Sequence, residues 1–234
     1  MPIRRNETGN RLLDRLPNDE YERLVPLLEH VTLAAQQHLY DVDAPIPHVY
    51  FPKTGMVSLV TLLKDGRQVE SGTIGNEGLV GVSVLLGLDR STHRVMCQVK
   101  SESLRLAVSP FMDVVKRSPQ LYALLLRYVA VSLRCTAQIV ACNALHPVPE
   151  RLCRWLLMIH DRVSTDTFFI TQEFLAEMLG VRRQTVTVIA GTLQTAGFIS
   201  YRRGTMRIIK REALEEASCE CYEITKSFYD RIMK

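Results

Sequence analysis

The stretch from Ile170 to Ile209 is punctuated in a way few folds accommodate. In ITQEFLAEML (170–179), Thr171 suits a helix N-cap with Glu173 in the first turn, and Phe174, Leu175, Met178 and Leu179 share one side of a short helix. Ala176 is small enough for close helix contact, and Gly180 supplies the left-handed residue of a tight turn. A second helix is expected from about Arg182, with Val186, Ile189, Ala190 and Leu193 at i, i+3, i+4 and i+7 as its inner face. Arg182, Arg183, Gln184 and Thr187 are left on the outer side. FISYRRGTMRII (198–209) then reads as a strand, an Arg203-Gly204 turn and a returning strand. Helix, glycine turn, helix and hairpin together predict a winged helix-turn-helix, with residues 182–195 as the recognition helix.

The charge sits where that geometry needs it. The whole chain of 234 residues carries a net charge of only +4. From Met178 to Arg211, however, there are seven basic residues and no acidic one, whereas Glu212 to Glu223 holds five glutamates and no Lys or Arg. So localised a field points to double-stranded DNA. A guanidinium and a carboxamide match the major-groove edges of guanine and adenine, which makes Arg183 and Gln184 the base readers, with Thr187 one turn further along. Arg182 and Thr185 are candidates for holding phosphates, and Arg202 and Arg203 at the hairpin tip would lie beside the duplex backbone. A merely solvated basic surface would not require the helix pair and the hairpin to coincide with it.

The remaining chain divides by periodicity. Residues to about Arg15 read as frayed, and Pro17, Asn18 and Asp19 open a short helix through Leu28. Val31 to Val108 is short apolar runs broken by turns: VSLVTLL (57–63) and QVESGTI (68–74) flank an Asp-Gly turn, GNEGLVG (75–81) is a glycine-rich corner, and 94–108 adds strand material. After Pro119 the period lengthens. Leu121, Leu124, Leu125, Tyr128, Val131, Ser132, Cys135, Gln138, Ile139 and Cys142 form one stripe of a helix about 25 residues long, suited either to a core or to a seam with a second copy. Pro147 and Pro149 mark a joint, and ERLCRWLLMIHDRV (150–163) begins the last unit. Leu214, Ala217, Cys221, Ile224 and Phe228 suggest an extra C-terminal helix.

The N-terminus lacks the apolar core of a secretory signal, and the longest uncharged run (184–201) is interrupted by Thr, Gln and Gly, so a cytoplasmic chain without a membrane span is expected. Cysteines 97, 135, 142, 153, 219 and 221 form no CxxC pair and read as buried or free thiols. His48, His93, His146 and His160 show no ligand spacing, so neither a metal site nor a cofactor is predicted.

The pattern from Phe168 to Lys210, most specifically ITQEFLAEMLGVRRQTVTVI (170–189), together with the long helix and the β-rich half, resembles the Crp/Fnr family of bacterial transcription regulators. The resemblance implies an α+β chain: an N-terminal cyclic-nucleotide-binding-type β jelly roll (1–117), a long dimerisation helix (118–146) and a C-terminal winged helix-turn-helix (147–234). It turns the stripe Leu121, Leu124, Leu125, Tyr128, Val131, Cys135, Ile139 and Cys142 into the expected homodimer interface, and it makes RNA polymerase a candidate partner. In the catabolite activator branch the recognition helix carries Arg, Glu and a second Arg; the matching positions here are Arg183, Gln184 and Val188, which implies a different operator. Members that bind cyclic AMP use a Gly-Glu turn and an Arg-Ser pair. Gly81-Val82 replaces the first and Arg90-Ser91 preserves the second, with Thr136 near the place where a base is met, so a cyclic AMP response is not expected and the nucleotide effector stays unidentified. The family's N-terminal iron–sulfur mechanism needs cysteines that residues 1–96 lack. The competing reading is a metal-dependent cupin-type enzyme with an interaction module, which requires histidines converging on one metal. The six histidines here are scattered.

Overall fold

A computed structural model describes residues 8–232. Seven strands build the N-terminal half: β1 (Glu29–Leu33), β2 (His38–Tyr40), β3 (His48–Pro52), β4 (Met56–Leu62), β5 (Gln68–Ile74), β6 (Arg94–Val99) and β7 (Ser101–Ala107). They form two antiparallel sheets, ordered β1-β7-β3 and β2-β6-β4-β5. The β4–β5 hairpin forms where the Asp-Gly turn was expected, with Leu62 opposite Gln68 and Gly66 at φ 86°. The glycine-rich corner follows from close approach. A Cβ at Gly75 would collide with the Arg162 side chain, and one at Gly78 with the Tyr128 hydroxyl.

The segment ahead of the first helix, α1 (Asn18–Leu24), is not frayed over its described part. Leu12, Leu13 and Leu16 are buried, and Asn10 donates to the carbonyls of Pro52 and Gly78 while its Oδ1 accepts from the amides of Leu12 and Leu13. The apolar triplet closes the jelly-roll core, a tertiary role that local polarity hides. Residues 1–7 lie outside the described residues.

After α2 (Val108–Lys116), α3 runs unbroken over Pro119–Leu145. Its stripe is core. Leu121, Leu124, Leu125 and Tyr128 are buried in the jelly-roll cluster. Cys135, Ile139 and Cys142 are buried where the last helix, described below, lies along α3. These side chains, taken from the sequence as the dimer face, are occupied by the chain itself, and only Val131 among them is half-buried. The exposed side of α3 instead carries Tyr122, Leu126, Leu133 and Val140. By length and composition α3 would also span a bilayer, but its inner face belongs to this core.

The C-terminal half comprises α4 (Val148–His160), β8 (Thr167–Phe169), α5 (Gln172–Leu179), α6 (Arg183–Thr195), β9 (Ile199–Arg202), β10 (Thr205–Ile208), α7 (Arg211–Glu216) and α8 (Cys221–Ile232). The tail is thus two helices, not one. Trp155, Leu156, Phe174, Leu175, Val186, Met206 and Tyr222 share a cluster that also takes Met56, Val60, Met96 and Val99 from β4 and β6, so the two halves are welded by one apolar core.

Glu70 sits in that weld. Its Oε2 accepts from Ser58 Oγ (2.8 Å), Gln98 Nε2 (2.5 Å) and Trp155 Nε1 (3.3 Å). Burial pushes its carboxyl above the usual carboxylate range, against those hydrogen bonds and the Arg154 charge, which pull it down. A protonated Glu70 also brings a donor to a neighbourhood where Gln98 Oε1 has no partner. A carboxyl whose folded pKa exceeds its unfolded value stabilises the fold below the unfolded pKa, about 4.3, and loses that contribution as pH rises. Glu70→Gln, which fixes the neutral form, is expected to flatten the fall in stability from about pH 5 to pH 8. Urea unfolding across that range measures it, and a slope equal to wild type would refute the assignment.

Candidate nucleic-acid interface

The helix-turn-helix forms for the reasons the sequence supplies. Thr171 Oγ1 accepts the Phe174 amide (3.2 Å) and caps α5. Gly180, at φ 65° and ψ 38°, ends α5 in the left-handed region, and the Val181 amide returns to the Ala176 carbonyl (2.9 Å). Val186, Ala190 and Leu193 are buried and Ile189 half-buried, which fixes the rotation of α6 about its axis. Arg182, Arg183, Gln184 and Thr187 face solvent, and Thr185 is half-buried. No side chain caps the start of α6, so its first amides and the positive end of its dipole point outward beside two guanidinium groups.

Two details refine the assignments. Thr187 Oγ1 lies 2.7 Å from Gln172 Oε1 and 3.1 Å from the Arg183 carbonyl, so its one hydroxyl proton is held between α5 and its own helix. The exposed apolar residue on this face is Val188, at 69% exposure, suited to a thymine methyl. Arg183 Nε stands 3.8 Å from Glu173 Oε2 with both side chains largely exposed, a contact water screens and a phosphate or base edge would displace.

The hairpin is pinned from behind. Tyr201 donates its hydroxyl to the Ile170 carbonyl (2.9 Å), and the Tyr201 amide donates to Gln194 Oε1 (2.7 Å), tying β9 to β8 and to α6. β10 pairs with both β8 and β9. Arg203 at φ 49° and Gly204 at φ 82° make the two-residue turn that presents Arg202 and Arg203 to solvent.

The expected effector residues are not brought together. A cavity of about 340 Å³ lies between β5, the glycine corner, α3 and α8, lined among others by Val82, Tyr128, Ser132, Thr136, Arg162 and Tyr229. Gly81 precedes Val82 in a left-handed conformation. Arg90 is exposed and donates to the Asp43 carbonyl, and Ser91 is buried with its hydroxyl on the His93 carbonyl (2.7 Å); neither lines the cavity. No local sequence signal marks α8 as one wall of this cavity.

A basic, uncapped helix start held outward by a buried back, with an arginine-tipped hairpin beside it, defines a winged helix-turn-helix DNA-binding transcription regulator. Residues 150–217 match the Crp-like helix-turn-helix domain and residues 30–118 the cyclic nucleotide-binding domain. The chain is 23% identical over 195 residues to the global nitrogen regulator of Nostoc sp., covering 79% of this chain and 86% of that protein. Its fold is similar to FixK2 from Bradyrhizobium japonicum, with a TM-score of 0.67 at 18% identity over 82% of this chain and 98% of that one. It is likewise similar to a Crp/Fnr-family regulator from Eubacterium rectale, with a TM-score of 0.66 at 15% identity over 90% of this chain and 99% of that one. The chain belongs to the Crp/Fnr family of transcription regulators. The cupin alternative finds no support: among the described residues the one group of three or more clustered metal-ligand side chains lies outside the jelly roll.

Proposed function

We propose that the chain acts in the cytoplasm as a homodimer that reads a near-palindromic operator, Arg183 and Gln184 contacting base edges while Arg182, Thr185, Arg202 and Arg203 hold the backbone. The observation that carries this reading is the orientation of α6: Val186, Ala190 and Leu193 are buried and its cationic start is bare. Half-sites roughly 34 Å apart follow from two-fold symmetry.

The free side of α3 supports a seam for the partner copy. Tyr122, Leu126, Val129, Leu133, Thr136 and Val140 recur at alternating steps of four and three, the spacing of a coiled-coil seam. A second copy is the occupant this spacing fits. The cavity between α3 and α8 is the candidate effector site. The Arg90-Ser91 pair would contribute nothing to it, which argues against cyclic AMP.

Arg183→Ala is expected to cost about 1–3 kcal/mol of operator binding and to relax preference at one base pair. Arg203→Ala should instead weaken all sequences alike and lower the salt slope by about one. Binding titrations on operator variants at several salt concentrations separate the two. Equal losses on every sequence for Arg183→Ala would remove its role as a reader.

A further inference from the structure

At the C-terminal end of α3 four side chains with metal-binding atoms converge. Cys142 and His146 lie one helical turn apart, and Cys219 and Cys221 flank Glu220 at the start of α8. One ligand atom from each falls within 4.8 Å of all the others. Cys142 Sγ is 3.5 Å from Cys219 Sγ, and Cys221 Sγ is 3.6 Å from His146 Nδ1. A tetrahedral zinc with Zn–S of about 2.3 Å and Zn–N of about 2.0 Å sets its ligand atoms about 3.5–3.8 Å apart. Ligands on different irons of an iron–sulfur cluster could not all lie within 4.8 Å of one another, so the spacing selects a single ion.

The surroundings complete the arrangement. His146 Nε2, the nitrogen facing away from the sulfurs, is 3.2 Å from Glu220 Oε2, the carboxylate contact that fixes tautomer and ring orientation in a ligating histidine. Gln138 Nε2 donates to Cys221 Sγ at 3.0 Å. The three cysteines are buried, and so are Arg151 and Arg154, whose Nε atoms have no hydrogen-bond partner. Arg151 Nη1 donates to Asn143 Oδ1 (3.2 Å), the residue next to Cys142, and Arg154 Nη1 to Met158 Sδ (3.1 Å). Neither has a carboxylate within ion-pair distance among the described residues. Three thiolates on a divalent ion leave one net negative charge, which the buried Arg151 guanidinium beside Cys142 offsets.

We propose that Cys142, His146, Cys219 and Cys221 bind one structural Zn²⁺ that fastens α8 to the end of α3. On binding, each thiol gives up its proton to solvent and the neutral imidazole coordinates through Nδ1. The ion would sit at the hinge into the DNA-binding half, because Pro147 follows His146 directly, and it would hold in place the helix that walls the cavity.

The test is metal analysis of the full chain purified without chelator from zinc-replete cells, followed by Co²⁺ exchange. About one zinc per chain, with intense thiolate-to-cobalt charge-transfer absorption after exchange, is expected. Cys221→Ser and His146→Ala should fall below about a tenth of an equivalent, while His146→Cys restores binding with four sulfurs. His146 is half-buried at a helix end, so His146→Ala is expected to keep its circular dichroism and to separate metal loss from unfolding. Wild-type protein without metal, a Cys142–Cys219 disulfide in the thiol-blocked native chain, or unchanged metal content in both loss variants would overturn the assignment.

Discussion

Arg162→Ala is expected to destabilise the folded chain by about 3–5 kcal/mol, the cost of leaving a buried charge without its partner. Arg162 Nη2 and Nε meet the two oxygens of Glu77 at 2.6 and 3.2 Å, with side-chain exposures of 9% and 6%. Nη1 of the same guanidinium donates to the Met158 carbonyl (3.0 Å), and the Arg162 carbonyl accepts the Gly55 amide (2.7 Å). The pair therefore clasps the glycine corner of the jelly roll to the end of α4. Burial alone would raise the Glu77 carboxyl, but the adjoining guanidinium and the hydrogen bonds outweigh it and hold the carboxyl below its usual range. The wild-type clasp thus stabilises above the unfolded carboxylate pKa, about 4.3, and its contribution is lost as pH falls through the lower folded value. In Arg162→Ala the sign reverses: Glu77 is left buried without its cation, so the variant should gain stability relative to wild type on acidification. Glu77→Gln combined with Arg162→Met should recover most of the loss, since a neutral pair of similar volume leaves no stranded charge. Urea denaturation of wild type, Arg162→Ala and the double variant at two pH values decides this. A loss under about 1 kcal/mol for Arg162→Ala would show that the clasp is solvent-screened after all.

The DNA-facing half was legible because its signals are local. A Thr cap, a left-handed Gly, an i, i+3, i+4, i+7 face and a two-residue turn each act within a few residues, and each recurs in the structure. What the sequence hid is decided by distant partners. Leu12 and Leu13 stand in a polar stretch and become core because Asn10 ties that stretch to β3 and the corner. The stripe from Leu121 to Cys142 has the periodicity of either a core or a seam, and only the placement of the jelly roll and α8 settles which. Cys142 and His146 are separated from Cys219 by more than seventy residues, so spacing rules for ligands within one loop could not join them. Arg90-Ser91 kept the letters of a phosphate site while its loop turned toward Asp43 and His93.

That inversion of faces gives the second large effect. Leu133→Glu is expected to convert a dimer to a folded monomer and to weaken operator binding by about 10²- to 10⁴-fold, the avidity lost when two half-sites no longer share one molecule. Leu133 is 68% exposed and Val140 64% in the single chain, so a charge there meets only water in the monomer but would be desolvated without a partner in the seam. Monomer stability should consequently change by less than about 0.5 kcal/mol, the range of exposed surface substitutions. The buried stripe predicts the opposite: Leu125→Glu, at full burial in the jelly-roll core, should prevent folding whatever the oligomeric state. The two faces of one helix are thereby told apart, since only the outer one couples association to DNA affinity without touching the fold. Sedimentation and binding titrations on the two variants measure the difference. A Leu133→Glu protein that remains dimeric would move the subunit contact elsewhere and, with it, the half-site spacing that α3 is expected to set.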